Sequence, residues 1–326
     1  MIRVGEISIP WGKNMFPDHS LLLKLDPDQM FDNRGAIKVE WLYEGDSELF
    51  TLICVKRHID RHFSTREVVL EMPYIPHARM DRVKSDEDVF TLKYFCEVIN
   101  SLNFKIVWVR DAHSNVSLAL LENVQEMPIT NYVLDAIFNA QADVLFFPDE
   151  GAMKRYSGGF DIPYAFGMKK RDWKTGKILG LDIINAEVVK DKNVLIVDDI
   201  CSRGGTFYHS AKALKTAGAK SVSLYVTHCE ETITLGEMAA SDGLVDHVYT
   251  TRSIFPEKLV HDHIVSWSNE GEVVLDPFMG SGTTAKVALE TNRKFVGFEI
   301  SKEYCDIANE RIKDIPQETL ISLFMS

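Results

Sequence analysis

The sequence is short of the features that would mark a secreted or membrane protein. Its five cysteines, Cys54, Cys96, Cys201, Cys229 and Cys305, are odd in number and include no CxxC pair, so neither a disulfide framework nor a zinc site is suggested. No apolar run approaches the roughly 20 residues of a membrane span. The opening MIRVGEISIPWGK lacks the apolar segment of a signal peptide. A cytoplasmic protein with no membrane partner is therefore expected. Basic residues are scarce too: 36 Lys and Arg stand against 48 Asp and Glu, a formal net charge of -12. That balance argues against binding nucleic acid through a broad basic face, so no nucleic acid partner is expected, and an anionic substrate would need a locally basic pocket. Low-complexity tracts are absent as well.

What is present is an alternation of strand and helix. The chain has 326 residues, 45% of them hydrophobic, enough for two domains and a sizeable core. Apolar runs predict strands over Ala36–Trp41, Thr51–Val55, Val68–Glu71, Lys105–Val109, Val144–Phe147, Val194–Val197, Ser221–Thr227 and His247–Thr250. Between strands, Val89–Leu102 carries Phe90, Leu92, Phe95, Val98, Ile99 and Leu102 at helical spacing. This order predicts an α/β protein with largely parallel sheets. The main polar break is a loop around Arg171–Thr175, and a further strand and glycine turn arrive after Arg252. Three segments are expected: 1–135, 136–251 and 252–326.

One stretch carries chemistry. VLIVDDICSRGGTF, Val194 to Phe207, runs from four apolar residues into two aspartates, a small-residue loop and a helix start. The apolar run suits a strand buried on both faces, whose carboxyl end is where parallel sheets bind ligands. Carboxylates accept hydrogen bonds from vicinal hydroxyls, so Asp198 and Asp199 suit a sugar. Ser202, Arg203, Gly204, Gly205 and Thr206 supply hydroxyls and backbone N–H groups at a helix start, which suits a phosphate. Elsewhere, Asp111 and His113 follow a strand two residues apart and can serve one ligand as carboxylate and imidazole.

These residues resemble the ribose-phosphate loop of the type I phosphoribosyltransferase fold. Four more segments in order, MPYIPHARMDR (Met72–Arg82), RDAHSN (Arg110–Asn115), FPDEGAMKRY (Phe147–Tyr156) and GMKKRDWKTGKI (Gly167–Ile178), narrow the resemblance to the ribose-phosphate pyrophosphokinases over about residues 1–250. The resemblance implies two phosphoribosyltransferase-like parallel-sheet domains and a homo-oligomer, from dimer to hexamer. It also implies transfer of the β,γ-diphosphoryl group of ATP to the anomeric hydroxyl of ribose 5-phosphate, with Mg²⁺ as cofactor. By the same resemblance Asp111 and His113 hold the metal that bridges the ATP phosphates, while Phe31, Asn33, Arg79 and His113 serve ATP. Asp149 joins Asp198, Asp199 and the loop 202–206 around the ribose phosphate. Lys169 and Arg171, in a polar loop, close over the transferring group and stabilise its charge.

Three positions depart from the family pattern. Gly35 and Ala36 stand where an adenine-loop Glu is expected, Met80 stands where a Gln follows the nucleotide arginine, and Ser202–Arg203 replace an acidic residue and a Thr. The added guanidinium could hold a 5'-diphosphate as well as a monophosphate. ADP-ribose, as in phage NAD-rebuilding pathways, is thus an alternative acceptor ranked just behind ribose 5-phosphate. A transferase that consumes ribosyl diphosphate and a silent regulatory homologue are further readings. Retention of Lys169, Arg171, Asp111 and His113 argues against the silent one, while the altered adenine loop argues for it.

The last segment has a different likeness. Phe255–Ile312 contains DPFMGSGTT between strand and helix, then a second strand leading to Glu299. It resembles the cofactor-binding part of N6-adenine or N4-cytosine DNA methyltransferases, a short Rossmann-like fragment. Asp276, Gly280, Gly282 and Glu299 would then meet S-adenosylmethionine. That family also needs a Pro-Pro-aromatic motif, and none of the 11 prolines here is adjacent to another. Catalytic use of S-adenosylmethionine is not expected.

Overall fold

A computed structural model describes residues 1–5, 7–9, 16–18, 20–27, 35–171, 178–230, 232–233, 236, 243–251, 260, 264–276, 279, 282–299, 302, 305, 308–309, 312–313 and 315. At residues 8, 169–171 and 178–180 only the backbone is described. The chain forms two compact units, Met1–Ile254 and Phe255–Ser326.

The first unit holds two six-stranded sheets. In the first sheet, β1 (Ile2–Val4), β2 (Ile7–Ile9), β3 (Ile37–Trp41), β4 (Val68–Glu71), β5 (Ile106–Arg110) and β6 (Val124–Met127) lie in the order β2-β1-β3-β4-β5-β6. β3 to β6 pair in parallel, and β1 pairs antiparallel with β2 and β3. Helices α1 (Ser47–His62), α2 (Thr91–Ser101) and α3 (Asn115–Leu120) connect them. Val39, Trp41, Leu70, Val107 and Val109 of the sheet share one core with Leu52, Val55 and Ile59 of α1 and with Leu92, Phe95 and Ile99 of α2.

The second sheet contains β7 (Val144–Phe147), β8 (Tyr164–Arg171), β9 (Ile178–Ile184), β10 (Asn193–Cys201), β11 (Ser221–Cys229) and β12 (Val248–Thr250), in the order β12-β11-β10-β7-β8-β9. All pairs are parallel except β8 with β9. Helices α4 (Thr130–Ala140), α5 (Glu150–Tyr156) and α6 (Gly205–Thr216) accompany it. The VLIV run divides between the two faces of β10: Val194 and Ile196 enter one core, Leu195 and Val197 the other. Such two-sided burial is why the run shows no polar alternation.

Two expectations are corrected here. Thr51–Val55 is helix, within α1, because its apolar residues belong to a longer stripe of Leu52, Val55, Lys56 and Ile59 that repeats every three or four positions; a five-residue window cannot separate that from a buried strand. The expected loop at Lys169–Arg171 is instead the end of β8, with Lys169 in register with Leu181 of β9. Residues 172–177 of that segment lie outside the description.

The second unit contains β13 (Val273–Asp276), α7 (Thr283–Glu290) and β14 (Lys294–Gly297), with the two strands parallel. Ala285, Val287, Ala288, Leu289 and Phe295 form its core with Ile264. The alternate β13 residues Val273 and Leu275 are 56% and 60% exposed.

Candidate active site

The carboxyl ends of β5, β7, β10 and β11 supply the functional side chains of the first unit. Just past β5, Asp111 adopts a left-handed backbone conformation, φ 46°, one that Asp tolerates better than most residues. Its carboxylate is 5% exposed. The Tyr156 hydroxyl lies 2.8 and 2.9 Å from its two oxygens, and the Thr227 hydroxyl donates to Oδ2. Two residues on, His113 Nδ1 donates to Asp199 Oδ2 at 2.5 Å. Arg155 is the hub of the cluster: Nη2 donates to the His113 carbonyl at 2.6 Å, and Nη1 lies 3.2 Å from Asp199 and 4.0 Å from Asp111.

Charge is sorted within this group. Burial alone would raise the Asp199 carboxyl, but the His113 bond and charge, together with Arg155, hold it well below the usual carboxylate range. Asp198 moves the other way, raised well above its ordinary value by burial and then by the charge of Asp199. The two neighbouring carboxyls are thus pushed in opposite directions, Asp199 toward the ionised form and Asp198 toward the protonated one. Burial, partly offset by the Thr227 and Tyr156 hydrogen bonds, pushes Asp111 up to about 6. Buried His228, whose Nε2 donates to the Arg110 carbonyl at 2.9 Å, is pushed down to about 4 by desolvation.

The geometry bears on the implied magnesium. Both Asp111 oxygens meet hydroxyl donors, and the His113 Nδ1 is engaged with Asp199. Among the described residues no three His, Cys, Asp or Glu side chains gather as metal ligands. Asp111 and His113, two residues apart, turn to different protein partners in this structure.

The phosphate-type loop is built as a helix start. Gly204 caps α6 at φ 75°, a left-handed conformation natural to glycine, and the first N–H groups of Gly205, Thr206 and Phe207 have no partner within the helix. Ser202 Oγ and Thr232 Oγ1 are 3.0 Å apart, and Arg203 is exposed. Asp149 caps α5, its Oδ1 accepting from the Ala152 N–H at 3.1 Å. Arg79 Nη2 donates to Glu230 Oε1 at 2.5 Å, joining the 72–82 segment to the end of β11. The structure therefore brings together Asp111, His113, Asp198 and Asp199, and ties Arg79 to the same strand end. Lys169 and Arg171 are placed only as backbone on β8, and Phe31 and Asn33 lie outside the described residues. In the second unit Asp276 ends β13, Gly282 caps α7 and Glu299 follows β14, while Gly280 lies outside the description.

Sequence reasoning missed Tyr156, Thr227, His228 and Glu230. The one available signal was the polar ending THCE of an otherwise apolar strand, β11.

Comparison with known proteins finds two likenesses, whose family matches overlap over residues 208–254. A family profile described as phosphoribosyl transferase domain matches residues 137–254, and one described as DNA methylase matches 208–310. A ribose-phosphate pyrophosphokinase of Saccharolobus solfataricus is 24% identical over 233 residues, 68% of this chain and 78% of that protein. The orphan methyltransferase M.BamHII of Bacillus amyloliquefaciens is 74% identical over 62 residues, 19% of this chain. The chain spans only 23% of that methyltransferase's length. Among solved structures, phosphoribosylpyrophosphate synthetase from Mycobacterium smegmatis superposes with a TM-score of 0.61 at 20% identity, covering 74% of this chain and 80% of that one, a likeness of fold.

Proposed function

We propose, starting from a chain whose first unit is similar to the ribose-phosphate pyrophosphokinases, that this unit transfers the β,γ-diphosphoryl group of ATP to the anomeric hydroxyl of ribose 5-phosphate. The observation that carries the reading is the pairing of Asp198 and Asp199 with the α6 helix start, joined by His113 from just past β5 and by Arg155 from the last turn of α5. The carboxylates receive the sugar hydroxyls, and the Ser202–Thr206 loop receives the 5-phosphate.

In the reaction the anomeric oxygen attacks the β-phosphorus, the bond from that phosphorus to the α-bridging oxygen breaks, AMP leaves carrying that oxygen, and the proton of the sugar hydroxyl passes to solvent. Magnesium enters as the ATP complex, as substrate. Lys169 and Arg171, at the end of β8, supply positive charge to the transferring group. Arg79 meets the nucleotide. The exposed guanidinium of Arg203 favours, as a second reading, an acceptor with a 5'-diphosphate such as ADP-ribose. The enzyme works as a cytosolic homo-oligomer, and its methyltransferase-like tail performs no methyl transfer.

The test is an assay of the purified chain with ATP and Mg²⁺, offering ribose 5-phosphate and ADP-ribose in parallel and following AMP. AMP formed with ribose 5-phosphate, and reduced roughly a hundredfold by Lys169→Ala, is expected. Turnover of ADP-ribose alone would transfer the assignment to the second reading. No AMP with either, and an unchanged Lys169→Ala variant, would overturn both.

A further inference from the structure

The Asp111 carboxylate does something other than what its position in DAH implies. It sits at the end of the first sheet, yet its hydrogen-bond partners belong to the second: Tyr156 on α5, 45 positions away, and Thr227 on β11, 116 positions away. All three residues are buried, at 5%, 5% and 0% exposure. A second strand-end bond runs parallel, from His228 Nε2 to the Arg110 carbonyl at 2.9 Å. The Arg155 guanidinium lies 5.5 Å from the Tyr156 ring centre. The Asp111 backbone is left-handed, a conformation that persists where its surroundings hold it.

We propose that Asp111 is the fixed half of a clasp between the two sheets, and that Tyr156 and Thr227 are positioning residues that close it. Their hydroxyls anchor the 111–113 turn to the second sheet. That anchoring delivers His113 to Asp199, with Arg155 holding the His113 carbonyl from the far side. The clasp acts on the sugar site through His113 and Asp199, and touches neither ATP nor the acceptor. Coordination of a metal by Asp111 would require breaking both hydroxyl bonds in a region closed to water. The catalytic part of this inference rests on the pyrophosphokinase reading; the clasp itself does not.

The experiment compares the full-length chain with Asp111→Asn, Tyr156→Phe, the double variant, Thr227→Val and Thr227→Ser. Melting temperature and Mn²⁺ binding in the presence of a non-hydrolysable ATP analogue need no turnover, so they separate failure of the clasp from failure of the proposed reaction. Each single loss is expected to lower the melting temperature, with the double variant no lower than the worse single. Thr227→Ser is expected to keep the wild-type value and Thr227→Val to lose it. Mn²⁺ binding is expected to be the same in all variants. With turnover, Tyr156→Phe raises KM for ribose 5-phosphate roughly tenfold while kcat changes less, as misplacement of a binding group predicts. Additive melting losses, or Mn²⁺ binding weakened by Asp111→Asn alone, would overturn the proposal.

Discussion

The two units of this chain invert the usual relation between likeness and completeness. The methyltransferase likeness carries the higher identity, 74% over 62 residues, but it spans 23% of that relative, and the described strands of Phe255–Ser326 form a single parallel pair with Val273 and Leu275 exposed. The pyrophosphokinase likeness is only 24% identical, yet it extends over 78% of that relative, and the two six-stranded sheets of Met1–Ile254 bring distant strand ends into one cluster. Catalysis needs several strand ends at once, which short matches do not supply.

The comparison can be broken most forcefully at Asp199. Asp199→Asn should lower kcat/KM for ribose 5-phosphate roughly a thousandfold, since it removes the ionised carboxylate held by His113 and Arg155. Steady-state kinetics with a melting curve as control would check this. In the tail, Ala288 is fully buried in the small core. Ala288→Asp places an uncompensated charge there, at a cost of about 3 kcal/mol or more. Hydrogen exchange should show protection lost around α7 and retained in β10 and β11, with AMP formation unaltered.

A pH test sharpens the account of the first unit. His228 falls from 6.5 to about 4 on folding, so the unfolded chain binds more protons between those values. Its contribution is fully present above pH 6.5 and is lost as pH falls toward 4, on the order of 3 kcal/mol. Asp111, raised from 3.8 to about 6, acts with the opposite sign: the folded state binds the extra proton, and its contribution declines as pH rises from about 4 to 6. His228→Gln keeps an N–H donor for the Arg110 carbonyl. Denaturant melts at pH 4.5 and 6.5 should show the variant's stability falling with rising pH relative to wild type. A parallel pH dependence in both proteins would contradict this. The smallest effect is expected from the tail's own chemistry: radiolabelled S-adenosylmethionine with DNA should give background counts, and any methylated adenine or cytosine would break the contrast between the units.

Much of the fold was legible because burial leaves local marks. The VLIV run announced a two-sided strand, and Leu92, Phe95 and Ile99 announced α2. Asp198, Asp199 and the 202–206 loop were legible because they are contiguous. The clasp was not, since its bonds join residues 45 and 116 positions apart, and neither a tyrosine after a basic pair nor a threonine in an apolar strand signals such a partner. Strand β8 was hidden by its own polarity: Lys169, Lys170 and Arg171 read as loop, and the backbone pairing with β9 overrides that composition. The three-residue strands β1 and β2 are too short to show any period.

The central claim is that an intact diphosphoryl group moves from ATP to a sugar. Incubation of the full-length chain with ribose 5-phosphate and, in separate reactions, α- or γ-labelled ATP tests it directly. The account predicts γ-label in a sugar diphosphate and α-label in AMP, in equal amounts. Label found only in inorganic phosphate and ADP, or no release of AMP with any acceptor, would contradict it.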